Sequence, residues 1–140
     1  MDDLDQQIIA LLVEDGRRSY GDIGRRVSLS APSVKRRVDV LREHGAITGF
    51  TALLNHHAMG QTTEALVELF YAPGTLLDEV AIRLKHQPEV IEAWSVTGDA
   101  DAIARVRTTS NAELERVIMR LQQDGSVVRT RSQVVLSRLV

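Results

Sequence analysis

Residues 29–42 constrain the fold most. Within them Val34, Val38 and Leu41 recur at i, i+4 and i+7, an apolar stripe on one side of a helix. Ser30 is a natural N-cap, and Pro32 is tolerated in the first turn, where backbone donors lack intrahelical partners. At about 100° per residue Arg36 projects almost opposite the stripe, with Ser33 and Lys35 on its shoulders. A helix that packs by one side and shows Ser, Lys and Arg on the other suits a DNA groove. Alone it could equally be a solvated charged face, so its neighbours decide.

Those neighbours predict two more helices. Leu4, Ile8, Leu11 and Leu12 mark the first, opened by Asp2 or Asp3 and closed at Gly16. The second, short, runs over residues 20–27 with Ser19 as its cap and Ile23 and Val27 inward. Gly21 and Gly24 weaken it, at up to about 1 kcal/mol each in a helix interior. Close packing against a neighbouring helix would explain Gly24. A tight turn at Ser28 and Leu29 then leads into the basic helix, giving a helix-turn-helix. Residues 47–55 are rich in β-formers and predict a strand or wing.

The net charge of −2 is unevenly spread. Residues 17–42 carry eight basic side chains against two acidic, whereas residues 61–140 carry nine against eleven. One part is suited to phosphate and the other is not. With no cysteine, disulfides and thiolate metal sites are excluded, and no other metal site or cofactor is expected. No apolar run approaches the roughly 20 residues of a membrane span, and nothing resembles a signal peptide, so a cytoplasmic protein is expected.

Beyond a linker at residues 56–62 the pattern changes. Residues 64–71 alternate as a strand, residues 77–84 as a helix stopped by Pro88, residues 90–97 and 103–107 as strands. Ser110 and Glu113 form a capping-box pattern for a helix carrying Leu114, Val117, Ile118 and Leu121, and residues 127–140 read as a long last strand. The predicted class is α+β: a winged helix-turn-helix over residues 1–55, then a ferredoxin-like βαββαβ domain over residues 63–140. Its uncovered sheet face, with Val, Leu and Phe, asks for a second copy.

One ordered set of residues runs through the first half: Leu4-Asp5, Asp15-Gly16-Arg17, Leu29-Ser30, Val34, Arg37-Val38, Leu41, Gly45, Ile47, Gly49-Phe50, Ala52 and Asn55. The second half continues it with Val90, Val96-Thr97-Gly98-x-x-Asp101, Leu114 and Val128-x-Thr130-x-Ser132. In this combination the chain resembles the leucine-responsive regulatory protein/AsnC (Lrp/AsnC) family of prokaryotic transcriptional regulators. The resemblance implies a sequence-specific DNA-binding regulator, a homodimer assembling to a tetramer or octamer, and an amino-acid effector bound between dimers.

It also makes residues 30–44 the recognition helix, capped by Ser30. Ser33, Lys35 and Arg36 are then expected nearest base edges. Arg37 either braces an acidic neighbour or reaches a phosphate. Arg18, Ser19 and Tyr20, at the start of the second helix, are expected phosphate contacts. The family's effector pocket implies a ligand at Thr97, Gly98, Asp99 and Asp101, which from sequence alone also read as an ordinary turn. There Gly98 allows close approach, and Asp99 or Asp101 accepts from an ammonium; backbone N–H groups or a basic residue must take the carboxylate. The chain departs from many relatives at Asn55-His56, where they have Asn-Pro, and at Asp99-Ala100, where they have an acidic–aromatic pair. Leucine is therefore not assumed as the effector.

Two other readings fit less well. A branch resembling these regulators decarboxylates sirohaem-type tetrapyrroles with histidines, but His44, His56, His57 and His86 make no convergent acid–base set. A pure ligand-binding or interaction module would leave the basic segment without a role.

Overall fold

Asp2 begins the first helix as its N-cap. In the computed structural model, which describes residues 1–140, this helix, α1, spans Asp3–Glu14. Asp2 and Asp5 exchange side-chain-to-backbone hydrogen bonds of 2.8 and 2.9 Å, satisfying two of the donors that a helix start leaves free. Helix α2 covers Tyr20–Val27, with Ser19 accepting from the Asp22 N–H, and α3 covers Ala31–Glu43, with Ser30 accepting from the Ser33 N–H. All three caps match the expectation.

Ile8, Leu12, Ile23, Val27, Val34 and Val38 form the core of this three-helix unit. Its tightest point is the α2–α3 turn. Ser28 adopts a left-handed conformation (φ 58°), and the Leu29 N–H returns to the Gly24 carbonyl at 2.9 Å. A Cβ on Gly24 would lie 2.3 Å from the Leu29 carbonyl oxygen. Gly24 therefore accommodates the turn and the entry of α3, whose N-cap Ser30 carbonyl carbon would lie 3.5 Å from the same Cβ. Residues 47–55 form no strand: Ile47 packs on the helical core, but these β-formers find no partner strand within the chain.

The chain divides into two units, Met1–Leu54 and Asn55–Val140. The second opens with a closed turn. Asn55 Oδ1 accepts from the Ala58 N–H, the His56 carbonyl accepts from the N–H groups of Met59 and Gln61, and Gly60 is left-handed. Thereafter β1 (Thr63–Tyr71), α4 (Leu77–Lys85), β2 (Val90–Ser95), β3 (Ala102–Thr108), α5 (Asn111–Gln122) and β4 (Val127–Val134) follow in βαββαβ order. The sheet is antiparallel in the order β2-β3-β1-β4. Strand β4 stops short of the predicted length because β1 begins at Thr63: Val134 pairs with Ala65, the Val135 N–H still donates to the Glu64 carbonyl at 2.8 Å, and the chain beyond has no strand left to pair with.

Strand alternation sorts the two faces. Ala65, Val67, Leu69, Ala104, Val106 and Val127 meet Val80 and Leu84 of α4 and Leu114, Val117 and Leu121 of α5. The other face is less apolar than expected. Glu64 pairs with Arg105 at 2.7 Å and Arg107 at 2.9 Å, Glu68 pairs with Arg131, and Phe70 is covered by the Arg129 guanidinium 3.8 Å from its ring centre. Most of its charges pair within the sheet, while Leu66 and, opposite Ile103, Trp94 remain exposed. Ser110 caps α5 as predicted, but Glu113 reaches back to the Thr109 N–H, at 2.7 Å.

Candidate nucleic-acid interface and ligand site

Every candidate on α3 occupies the side that its helical phase predicts. Val34, Val38 and Leu41 are buried, while Lys35 and Arg36 are exposed. The side chains differ in their freedom. Lys35 Nζ bonds Asp39 Oδ2 at 2.6 Å, a contact that raises the lysine's pKa. The Ser33 and Ser30 hydroxyls bond each other at 2.8 Å, so both belong to the helix cap. Arg36 makes no hydrogen bond or ion pair and stands free in solvent.

Arg37 turns the other way. Its Nη1 lies 2.8 Å from both Asp2 Oδ2 and Asp5 Oδ1, joining α3 to the capping box of α1. Asp2 is correspondingly held below the ordinary carboxylate range, first by the Asp5 N–H and then by the Arg37 guanidinium. Arg18, at the start of α2, is similarly engaged. Its Nη2 meets Glu14 at 3.1 Å, its Nε lies 3.6 Å from Asp22, and Nη1 is buried without a partner. Ser19 caps α2, and Tyr20 packs against the helical core.

Asp22 is a participant that the sequence reading passed over. Arg25 and Arg26 bond it at 3.0 and 3.1 Å, and its pKa falls, chiefly through Arg26. The i, i+3 and i, i+4 spacings carry that signal in the sequence.

The turn at residues 96–101 is closed by backbone bonds. The Val96 N–H donates to the Asp101 carbonyl at 3.2 Å, and the Asp101 N–H to the Leu69 carbonyl at 3.0 Å. Asp101 Oδ2 accepts from the Tyr71 N–H at 2.7 Å, so its carboxylate caps the end of β1. Gly98 is exposed with φ +114°, a conformation that side-chain-bearing residues rarely adopt.

Thr97 and Asp99 line an open depression completed by Glu68, Ser95, Val96, Ala100, Ile103 and Arg131; Asp101 is not among its lining residues. Arg131 holds Glu68 by Nε and approaches Asp99 with Nη1 at 3.8 Å. That ion pair lowers the Glu68 pKa and raises the Arg131 pKa. Arg131 is a basic group beside the turn that the sequence alone does not single out. It becomes identifiable only once β1 and β4 are paired in the register Glu68↔Arg131.

No three His, Cys, Asp or Glu side chains are grouped to hold a metal ion. His56 bonds Gln61, and His86 bonds the Ile82 carbonyl. No helix is long and apolar enough to cross a membrane.

Known proteins resemble the chain throughout. Residues 1–42 match the AsnC-type helix-turn-helix domain, and residues 64–140 the Lrp/AsnC ligand binding domain. The HTH-type transcriptional regulator Rv2324 of Mycobacterium tuberculosis is 41% identical over 140 residues, 100% of this chain and 95% of that protein. The regulator FL11 of Pyrococcus furiosus is 32% identical, over 97% of this chain and 89% of its own. Among solved structures, the M. tuberculosis leucine response regulatory protein LrpA has a TM-score of 0.86 at 30% identity, covering 100% of this chain and 95% of its own. The Neisseria meningitidis transcriptional regulator NMB0573, solved as an L-Met complex, has a TM-score of 0.92 at 25% identity, covering 100% and 92%.

Proposed function

Because the chain belongs to the Lrp/AsnC family of DNA-binding transcriptional regulators, we propose that α3 reads specific DNA bases and that an amino acid bound between dimers at the 97–101 turn modulates this contact in the cytoplasm. The observation that carries the DNA reading is Arg36, exposed opposite the buried stripe of α3 and free of any partner. A free guanidinium offers two parallel donors to guanine O6 and N7. Lys35 and Ser33 stand beside it, and their bonds to Asp39 and Ser30 are local and exchangeable. Ser19 and Tyr20 touch phosphate at the α2 N-terminus, where orphan N–H groups favour an anion. Arg18 and Arg37 act as braces that orient α2 and α3, since both guanidiniums are already shared with carboxylates.

A homodimer presents two copies of α3, which address half-sites one helical turn or a multiple apart; further assembly yields a tetramer or octamer. The effector works through a difference in affinity between assembly states. The L-Met complex of the Neisseria relative supports an amino acid as the ligand class.

Fluorescence anisotropy at fixed salt, on duplexes selected from a random library, tests the DNA reading. A lost bidentate contact is worth about 1–3 kcal/mol. Arg36→Ala is therefore expected to weaken specific binding roughly tenfold to a hundredfold while retaining salt-dependent non-specific binding. Unchanged affinity and sequence preference would overturn it.

A further inference from the structure

The depression beside the 97–101 turn already holds a matched pair of opposite charges. Arg131 and Glu68 face each other across β4 and β1, and Asp99 stands 3.8 Å from Arg131 Nη1, beyond hydrogen-bond range. Glu68 is largely covered, at 18% exposure, whereas Arg131 at 54% and Asp99 at 71% are open to solvent. The guanidinium thus has one edge committed to Glu68 and another presented to the depression with only a loose partner.

We propose that this pair is the recognition element for the α-amino acid backbone. The ligand carboxylate takes Arg131 from Glu68, and the ligand ammonium takes the released Glu68 together with Asp99. The inference rests on the reading of the turn as the effector site. It follows from three properties of the arrangement. A planar guanidinium matches a carboxylate bidentately, which one loosely placed aspartate does not use. The exchange also leaves no charge unpaired: Arg131 trades one carboxylate for another, and Glu68 trades a guanidinium for an ammonium. A partly buried carboxylate stripped of its cation would be disfavoured, so a ligand bearing only a carboxylate cannot open the pair as easily as a zwitterion.

Charge and lining also set a preference among amino acids. Two carboxylates and one guanidinium give the depression a net charge of about −1 by formal charge, which disfavours acidic side chains. Val96 and Ile103 supply apolar lining, and Ala100 leaves the turn without an aromatic. The ligand class is therefore a neutral amino acid with an aliphatic side chain, ahead of glutamate or aspartate.

Calorimetry on the full-length protein tests this with three probe sets: neutral amino acids, the amines made by removing their carboxyl group, and the acids made by removing their amino group. Wild type is expected to bind zwitterions best. Arg131→Gln should weaken amino-acid binding at least tenfold while leaving amine binding within about twofold, and Arg131→Lys should recover part of the loss. Glu68→Gln, which frees Arg131 and removes the ammonium acceptor, should shift preference toward the deaminated acids. Arg120→Gln, on α5 at the other side of the sheet and paired with Glu89, should leave all three unchanged, and thermal melts of each variant report folding separately. Amino-acid binding that survives Arg131→Gln overturns the role of the ion pair but leaves the turn as effector site intact. A wild type that takes up no amino acid overturns both.

Discussion

Gly24 and Gly21 lie three residues apart on the same helix, and the structure assigns their alanine variants opposite signs. In Gly24→Ala the new Cβ would stand 2.3 Å from the Leu29 carbonyl oxygen, with the Leu29 carbonyl carbon at 3.3 Å. The obstacle is backbone, so relief requires moving the entry of α3 away from α2. Overpacking of this kind costs about 1–3 kcal/mol. The same movement stretches the 2.9 Å bond from Leu29 N–H to the Gly24 carbonyl, a further loss of about 1 kcal/mol. Replacing glycine by alanine in a helix returns about 1 kcal/mol. The balance for Gly24→Ala is a destabilisation of about 1–3 kcal/mol. At Gly21 the nearest atoms to a new Cβ are the Arg25 Nη1 and the Ser19 Oγ, both at 4.0 Å, so only the propensity gain remains and Gly21→Ala stabilises by about 0.5–1 kcal/mol. Urea unfolding followed by circular dichroism at 222 nm, where α1–α3 contribute, measures both midpoints. For a domain of this size each kcal/mol corresponds to a shift in melting temperature of about 4–8 °C. If Gly24→Ala were as stable as wild type while Gly21→Ala gained stability, the close approach would not be what requires glycine at 24.

Ser28→Gly should stabilise the same unit by about 0.5–1 kcal/mol, because Ser28 is the one non-glycine residue at positive φ and sits at the C-cap of α2; an unchanged or lowered urea midpoint refutes this. The Asp2–Arg37–Asp5 cluster makes this unit acid-sensitive. Asp2 has a depressed folded pKa, so its contribution is fully present above the ordinary carboxylate value near 3.8 and is lost as pH falls below it, toward the folded value. Asp2→Asn should accordingly flatten the dependence of the urea midpoint on pH as the pH falls below about 5, and an unaltered slope would count against the linkage.

The parts legible in the sequence are those fixed by local chemistry. Ser19, Ser30 and Ser110 announce helix starts because a short hydroxyl side chain can reach an orphan N–H three residues on. Alternation over β1 and β3 likewise reveals which residues form the core. What escaped prediction depends on residues distant in sequence. Residues 47–55 have β-propensity but no partner strand, and propensity alone does not make a ladder. Phe70 looked like exposed apolar surface until Arg129 was placed over its ring. The family resemblance makes Asp101 an expected ligand contact, but only the fold shows that its Oδ2 also accepts from a backbone N–H thirty residues away. Arg131 and Glu68 are sixty-three residues apart, and only strand pairing makes them neighbours. In the first unit the alternatives for Arg37 were named correctly, but choosing between them required the position of Asp2.

The three bonds that tie Asp101 to Val96, Leu69 and Tyr71 have a thermodynamic implication for anything taken up beside the turn. The wall is already tied down, so little segmental freedom remains to be lost on association, and the ordering part of the cost of binding is small. Removing the Asp101 carboxylate would then weaken uptake without deleting a contact, by returning entropy to the empty state. A calorimetric signature follows: for Asp101→Ala the loss falls mainly in the entropy of binding, whereas for Arg131→Gln it falls in the enthalpy.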